Sequence, residues 1–154
     1  MGTALYLMRH AYDDFDKERS LGREQARAAG AYLSSTGLDP LRTLIIASES
    51  SRAIRTAEIV KEATGVEHMI TRDALTIQKG GQTFLFLSDM LKIQARSFDA
   101  IIAVTHQPNM EVVLRAFAAL CSVATLVSTP NGVIFYILPD EKIFKCVHPP
   151  DGVE

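Results

Sequence analysis

Three short, almost uniformly apolar runs stand out along the chain, over residues 4–8, 43–47 and 100–105. A run without alternation of polar and apolar residues is typical of a strand buried on both faces, as in the middle of a parallel sheet. Each run is followed by a polar segment and then by residues with helical spacing. The pattern therefore predicts strands that alternate with helices.

The predicted helices occupy the stretches after these strands. We expect them over residues 22–33, from the N-cap candidates at 48–51 to about residue 64, over 84–95 and over 110–121. Gly65 follows the second of them, where a helix commonly ends.

The remaining stretches are less regular. Residues 66–82 show no clear periodicity, whereas 133–138 and 143–147 surround a turn and predict a terminal hairpin or edge. No linker, repeat or low-complexity tract divides the chain. We therefore expect a single α/β domain over residues 1–154, a three-layer α/β/α sandwich with a largely parallel central sheet.

Composition narrows the class of protein without changing this fold. Of 154 residues, 47% are hydrophobic and 22% are charged, as in a compact globular domain. The formal net charge of -2 and a pI near 6.1 give no broad basic field, which disfavours nucleic acid as a partner. Any phosphate binding must therefore be local.

Cysteine usage and hydropathy favour a cytoplasmic protein without a membrane partner. Cys121 and Cys146 are the two cysteines, and no CxxC spacing suggests a disulfide framework or a zinc site. No segment approaches the roughly 18 apolar residues that span a bilayer. The acidic stretch 13–18 is interpreted as a solvated loop.

Residues suited to chemistry directly follow the three predicted strands. They are Arg9 and His10, then Ser48 and Arg52, and then Thr105 and His106. Because the carboxyl ends of parallel strands meet at one edge of a sheet, these side chains should converge there. Helices that begin at this edge can also direct their N-terminal N–H groups toward it.

The converging group predicts a cationic pocket that needs neither a metal nor another cofactor. No carboxylate cluster, cysteine nucleophile or metal-ligand spacing accompanies the two histidines and two arginines. A phosphoryl dianion is the natural occupant, because planar guanidinium groups bind its oxygens bidentately.

The two histidines allow different roles. One must be neutral, with its second ring nitrogen fixed by a hydrogen bond, to offer a lone pair for in-line attack on phosphorus; we assign this role to His10. The other, protonated by the anion beside it, stabilises the equatorial oxygens, and we assign this role to His106. Water then cleaves the phosphoenzyme and releases inorganic phosphate.

Four blocks of the sequence resemble the histidine phosphatase (phosphoglycerate-mutase-like) superfamily. They are LMRHA at 7–11, IASESSRAIRTA at 46–57, VTHQPN at 104–109 and PNGV at 130–133. The Ala after the first histidine, and DDFD with RSL shortly after it, are similar to the small SixA-type phosphohistidine phosphatases of that superfamily.

The resemblance covers about residues 4–138 and carries expectations for the site. It implies a phosphoglycerate-mutase-like fold, a phosphohistidine intermediate on His10, and phosphate contacts by Arg9, Arg52 and His106. By the same likeness Arg19 is a further phosphate contact, with Lys17 as the alternative alignment.

The sequence also departs from the family pattern. Glu49 stands where the family usually has Pro, and it either repels an anionic substrate or helps to orient a group. The loop near Gly22 is about three residues short, and Asn131 replaces the usual Thr. None of these departures removes Arg9, His10, Arg52 or His106.

The leaving group separates the candidate substrates. Members of this superfamily that act on phosphate esters use a carboxylic acid to protonate the leaving alkoxide. The sequence shows no clear match to this acid, and Asp73 and Glu49 are no more than candidates for it. Imidazole, whose conjugate acid has a pKa of about 6.5, is readily protonated near neutrality without such an acid. The sequence therefore favours phosphohistidine on a protein as the substrate.

Two other functions stay open from the sequence. One is a broad phosphatase of small phosphorylated metabolites, and the other is a non-catalytic sensor of phosphate or of a phosphoprotein. The intact nucleophile argues against the sensor. The sequence does not indicate which oligomeric state the protein adopts. Outside the blocks, His68 and His148 are expected in surface or packing roles, and Arg55 in the solvated face of its helix.

Overall fold

The computed structural model describes residues 2–76, 80–124 and 129–149. In these ranges six strands form one sheet. They are β1 (Ala4–Arg9), β2 (Thr43–Ala47), β3 (His68–Thr71), β4 (Ala100–Thr105), β5 (Ile134–Leu138) and β6 (Ile143–His148). The strand order is β3-β2-β4-β1-β5-β6. The first four of these strands are mutually parallel, β5 is antiparallel to β1, and β6 is antiparallel to β5.

The central strands β1, β2 and β4 are buried on both faces, as their apolar runs predict. Alternate side chains enter two separate cores: Leu5 and Leu7 pack on one side of the sheet, and Tyr6 and Met8 on the other. This alternation gives a strand two apolar faces, so a nearly continuous hydrophobic run is what the position requires.

Four helices cover the two faces in the described part of the chain. They are α1 (Leu21–Ser35), α2 (Ser51–Thr64), α3 (Gly80–Ile93) and α4 (Gln107–Leu120). Buried side chains of α1 and α2 join one core, and those of α3 and α4 join the other. The predicted three-layer α/β/α sandwich is therefore confirmed.

The predicted helix α2 is closely reproduced, because its boundary signals lie in the local sequence. The hydroxyl of Ser50 accepts a hydrogen bond from the backbone N–H of Ala53. At the other end Gly65 adopts φ 76°, a left-handed conformation that glycine tolerates best, and its N–H donates to the carbonyl of Lys61.

Other boundaries differ from the prediction. Helix α4 starts three residues before residue 110, with His106 as its N-cap residue and Pro108 in its first turn, where a missing N–H costs nothing. Strand β3 lies in the stretch 66–82 that shows no periodicity, because it is a four-residue edge strand and only partly buried. Residues 77–79 of that stretch lie outside the described ranges.

The terminal hairpin is confirmed, with β5 and β6 joined by a 3-10 turn at Pro139–Glu141. None of the helices that the structure describes is long and apolar enough to cross a membrane.

Candidate active site

The carboxyl ends of β1, β4 and β2 are held together by main-chain hydrogen bonds. The N–H of His10 donates to the carbonyl of Thr105 at 3.0 Å, and the N–H of Ser48 donates to that of Val104 at 3.0 Å. These bonds continue the parallel ladder one residue past the strands. As a result the imidazole rings of His10 and His106 lie 5.1 Å apart, centroid to centroid.

A pocket of about 410 Å³ opens at this edge of the sheet. The pocket floor, as we call it, consists of the buried or half-buried Arg9, His10, Arg52 and His106. The pocket rim consists of Tyr12, Asp13, Gln107, Pro108 and Asn131, of which Asn131 is half-buried and the others are exposed. The structure thus brings together the four side chains predicted from the strand ends.

The ring of His10 is fixed by the main chain. Its Nδ1 lies 2.7 Å from the carbonyl oxygen of Ala11. Because a carbonyl only accepts, Nδ1 carries the proton and donates it, and Nε2 retains its lone pair. Burial lowers the pKa of His10, as do Arg52 and Arg9, while the bond to Ala11 opposes them. A neutral imidazole with a free Nε2 is the state that a nucleophile requires.

Thr56 links the predicted nucleophile, His10, to helix α2. Its fully buried hydroxyl accepts a hydrogen bond from the N–H of Ala11 at 3.0 Å and donates one to the carbonyl of Arg52 at 2.8 Å. The residue after the nucleophile and the helix turn that carries Arg52 therefore share one hydroxyl. Sequence reasoning did not assign this role, although Thr56 lies in the second family-like block.

His106 is held by hydroxyl groups instead. Its Nε2 lies 2.8 Å from the Oγ of Ser48 and 3.3 Å from the Oγ of Ser50. The Ser48 oxygen already accepts from the N–H of Ser50, which leaves its own hydrogen to donate to Nε2. We therefore assign the proton of His106 to Nδ1, which is buried and has no hydrogen-bond partner among the described residues.

The charge on His106 depends on whether an anion occupies the pocket. Burial first, and then His10, Arg52 and Arg9, lower its pKa to about 4. In the free protein His106 is therefore neutral near pH 7. The predicted protonated form requires a bound dianion, since only an opposite charge offsets the three neighbouring groups. Even when neutral, Nδ1–H can donate to a phosphoryl oxygen.

The two floor arginines complete a set of unpaired donors. Arg9 donates through Nη1 to the carbonyl of Thr129 at 2.7 Å, which orients its guanidinium. The Nε atoms of Arg9 and Arg52 are buried without a partner in the described part of the chain. Together with Nδ1 of His106 they are three buried N–H donors without a partner, on side chains that line one pocket, and phosphoryl oxygens are acceptors of the matching kind.

Asn131 supports the floor from the side of β5. Its Nδ2 donates to the carbonyl of His10 at 3.2 Å, and the N–H of Gly132 donates to the carbonyl of Arg9 at 3.1 Å. The Asn that departs from the family pattern therefore contacts the main chain of the predicted nucleophile.

The loop that carries Tyr12 and Asp13 is locked against the start of α1. The N–H of Tyr12 donates to Oε1 of Gln25 at 2.8 Å, and the N–H of Gly22 donates to the carbonyl of Asp14 at 3.0 Å. A Cβ on Gly22 would lie only 2.2 Å from the carbonyl oxygen of Tyr12, so a side chain cannot fit there. Asp13 is exposed, as the interpretation of 13–18 as a solvated loop predicts, but it also lines the pocket.

Arg19 is not brought into the pocket. Its side chain is 86% exposed and pairs with Glu24 in the first turn of α1, with 3.4 Å between Nη2 and Oε2. The structure therefore gives no support to the predicted phosphate contact by Arg19. Lys17, the alternative, is exposed and does not line the pocket either.

Several other candidates also lie elsewhere. Glu49 is exposed and Asp73 lies in a 3-10 turn, and neither lines the pocket. The guanidinium of Arg55 lies 5.9 Å from the centre of the Phe15 ring. His68 contacts Phe98 and His148 stacks on Tyr32, in packing roles.

Among the described residues, no group of three His, Cys, Asp or Glu side chains is placed to hold a metal ion. A larger cavity of about 920 Å³ lies beside Thr3, Phe117 and Asp140 at the opposite edge of the sheet, away from the histidine pair.

The fold is that of the phosphoglycerate-mutase-like α/β proteins, with a histidine pair at the carboxyl edge of the sheet. Residues 5–81, half of the chain, match the model of the histidine phosphatase superfamily (branch 1), and the chain belongs to this superfamily. Membership implies a phosphohydrolase.

Several solved structures share this fold. A candidate phosphohistidine phosphatase SixA from Agrobacterium tumefaciens is similar with a TM-score of 0.68 and 20% identity over 96% of each chain. The protein histidine phosphatase SixA complexed with tungstate is similar with a TM-score of 0.72 and 17% sequence identity over 94% of each chain. A mycobacterial glucosyl-3-phosphoglycerate phosphatase is similar with a TM-score of 0.65 and 17% sequence identity. This similarity covers 94% of the present chain and 97% of the phosphatase. At these identities the similarity establishes the fold. No curated protein matches the sequence.

Proposed function

We propose that this protein hydrolyses phosphohistidine on a partner protein, through a covalent phosphohistidine formed on His10. The observation that carries the proposal is the bond from Nδ1 of His10 to the Ala11 carbonyl, which leaves Nε2 as the free nitrogen beside Arg9, Arg52 and His106. That arrangement supplies a nucleophile and a set of donors in one pocket.

In the first step the Nε2 lone pair of His10 forms a bond to phosphorus as the bond to the leaving nitrogen breaks. The leaving imidazole keeps that electron pair and takes a proton from solvent. Phosphoryl oxygens accept hydrogen bonds from Nε of Arg9, Nε of Arg52 and Nδ1 of His106, so charge that shifts in the transition state is already matched by fixed donors.

In the second step a water oxygen forms the new bond to phosphorus, and the bond between phosphorus and Nε2 breaks. The water loses a proton to solvent, and the electron pair returns to Nε2. His10 thereby regains the neutral tautomer that the Ala11 carbonyl favours. Inorganic phosphate leaves, and no group is left bound to the protein.

The surroundings of the pocket support a substrate carried on a protein. Tyr12, Gln107 and Pro108 are exposed at the rim, so the described residues leave the mouth open to a projecting side chain. Neither Glu49 nor Asp73, the candidates for a proton donor, lines the pocket. A leaving imidazole needs such a donor less than an alkoxide does.

A panel of substrates tests the proposal. We expect kcat/KM for a phosphohistidine-bearing protein to exceed that for sugar phosphates by at least about 10²-fold, because an unassisted alkoxide leaves slowly. Labelled phosphate should be trapped on the wild-type chain and not on His10→Ala. A thermal shift on addition of inorganic phosphate, measured for both proteins, would show that the variant is folded.

A phosphatase of small phosphorylated metabolites is the second candidate, favoured by the similarity to a mycobacterial glucosyl-3-phosphoglycerate phosphatase. A many-fold preference for sugar phosphates in the same panel would select it. Tight phosphate binding without labelling of either protein would instead support a non-catalytic sensor.

A further inference from the structure

The charged side chains that line the pocket are unequally divided between the pocket floor and the pocket rim. Every Arg and His side chain that lines the pocket belongs to the pocket floor, where a phosphoryl dianion would neutralise positive charge. Among the described residues, the pocket rim has one carboxylate, that of Asp13, and no Lys, Arg or His. Arg19, on the same loop, is engaged by Glu24.

This division has a consequence for the part of the substrate beyond the phosphoryl group. A second anionic group would meet the Asp13 carboxylate, and none of the described rim residues would supply a counter-charge. A positive group there would be attracted, because opposite charges a few ångströms apart gain energy even at the surface. The rim thus opposes substrates such as phosphorylated sugar acids.

Asp13 and Tyr12 are held where they can act on a substrate. Hydrogen bonds from the N–H groups of Tyr12, Asp14 and Gly22 fix the turn between them and α1. Burial lowers the pKa of His10, and Asp13 is close enough to oppose this effect as the smallest of several contributions. Tyr12 is 50% exposed, which leaves its ring available, and aromatic faces attract cations.

We propose that Tyr12 and Asp13 make this site selective for phosphoryl groups that have positive charge close by, such as a phosphohistidine flanked by Lys or Arg. This inference rests on the proposed function and adds the chemistry of the surface that the partner protein presents. The floor binds what all substrates share, and the rim distinguishes between their surroundings.

Two chemically phosphorylated peptides with the same phosphohistidine provide the test, one flanked by Lys and the other by Glu. Because the scissile bond is identical, the ratio of their kcat/KM values reports the rim alone. We expect the wild type to prefer the basic peptide roughly threefold to tenfold. Asp13→Asn should reduce the ratio, Asp13→Lys should invert it, and Tyr12→Leu should reduce it less than Asp13→Asn.

Asp16→Asn is the matched control, since it removes an exposed carboxylate from the same loop that does not line the pocket. It should leave the ratio near the wild-type value. The wild-type ratio should also fall as salt rises from 0.05 M to 0.5 M, because exposed charges are screened over roughly 10 Å or less. A merely structural role of Asp13 would not produce that salt dependence.

The outcomes of these experiments distinguish the rim selectivity from the proposed function on which it rests. Equal kcat/KM values for the two peptides in the wild type, or an unchanged ratio in Asp13→Asn, would overturn the selectivity while leaving a working phosphatase. Absence of hydrolysis of both peptides and of labelling at His10 would overturn the proposed function, and this inference with it.

Discussion

The pocket floor and the pocket rim are positioned by different parts of the fold. His10 and His106 directly follow neighbouring strands and lie in the buried interior, at 7% and 1% exposure. Tyr12 and Asp13 sit on an exposed loop that a few hydrogen bonds attach to α1. Under the proposed function, the reaction would depend on the sheet and the choice of substrate on the loop.

The largest effect should come from removing the nucleophile from the floor. His10→Ala should lower kcat on the order of 10⁴-fold or more, because no other group offers a lone pair at that point. Steady-state hydrolysis of a phosphohistidine peptide measures it. His68→Ala, which changes an exposed histidine at the opposite edge of the sheet, is the control and should retain activity. Comparable losses in both variants would contradict the assignment of His10.

A second floor variant should have a smaller but still large effect. Arg52→Ala should reduce kcat/KM about 10²–10³-fold, since it removes a buried donor from the transition state. Arg55→Ala, one turn further along α2 and exposed, should stay within about twofold because an exposed cation contributes little. Equal effects of the two substitutions would show that α2 contributes general charge rather than one positioned donor.

On the rim side, Gly22→Ala should affect stability. The new Cβ would lie 2.2 Å from the carbonyl oxygen of Tyr12 and 2.4 Å from that of Asp14, so the turn must move. We expect a loss of about 1–3 kcal/mol in the free energy of unfolding, measured with urea, and a rim that discriminates less between basic and acidic peptides. Gly81→Ala is the control, as its Cβ meets nothing within 4 Å. A fully stable Gly22→Ala would mean that the loop is not locked by α1.

The smallest expected effect is a pH dependence that arises from the floor. The folded-state pKa of His106, about 4, lies below the ordinary value of 6.5. The unfolded chain therefore binds more protons between these values, and stability is lost as pH falls from about 6.5 toward 4. Between pH 7 and pH 5.5 this one group should cost about 1 kcal/mol.

Urea unfolding of the wild type and of His106→Gln at the two pH values isolates that contribution. The variant should lose less stability than the wild type on acidification, although His10 and His148, whose pKa values are also lowered by burial, continue to contribute. Identical losses in both proteins would refute the buried neutral state of His106.

Much of the floor could be predicted from the sequence because its members directly follow buried strands or begin a helix. A uniform apolar run indicates β1 or β4 without knowledge of the rest of the chain, and the residue after it is then at the carboxyl edge. The edge strand β3 escaped prediction because its side chains are only partly buried, so no run distinguishes it.

The rim could not be predicted in the same way. Four carboxylates lie between residues 13 and 18, and nothing in the local sequence shows that Asp13 is the one that lines the pocket. Its position depends on the close contacts of its two neighbours, Tyr12 and Asp14, with Gly22, which lies ten and eight residues further along. The position of Arg19 outside the pocket has the same origin, since the pairing of Arg19 with Glu24 is decided by how the loop meets α1. The role of Thr56 depends on two main-chain partners that only the folded chain brings together.

The acceptor that orients His10 is a peptide carbonyl and belongs to no side chain. Substitutions around the pocket can therefore alter charge, shape and specificity without removing the group that sets the tautomer of the nucleophile. An engineer could randomise positions 12 and 13 to obtain new substrate preferences and still retain the reactive nitrogen. Apart from replacement of His10 itself, changes that shift the backbone at residues 10 and 11 would disturb this orientation.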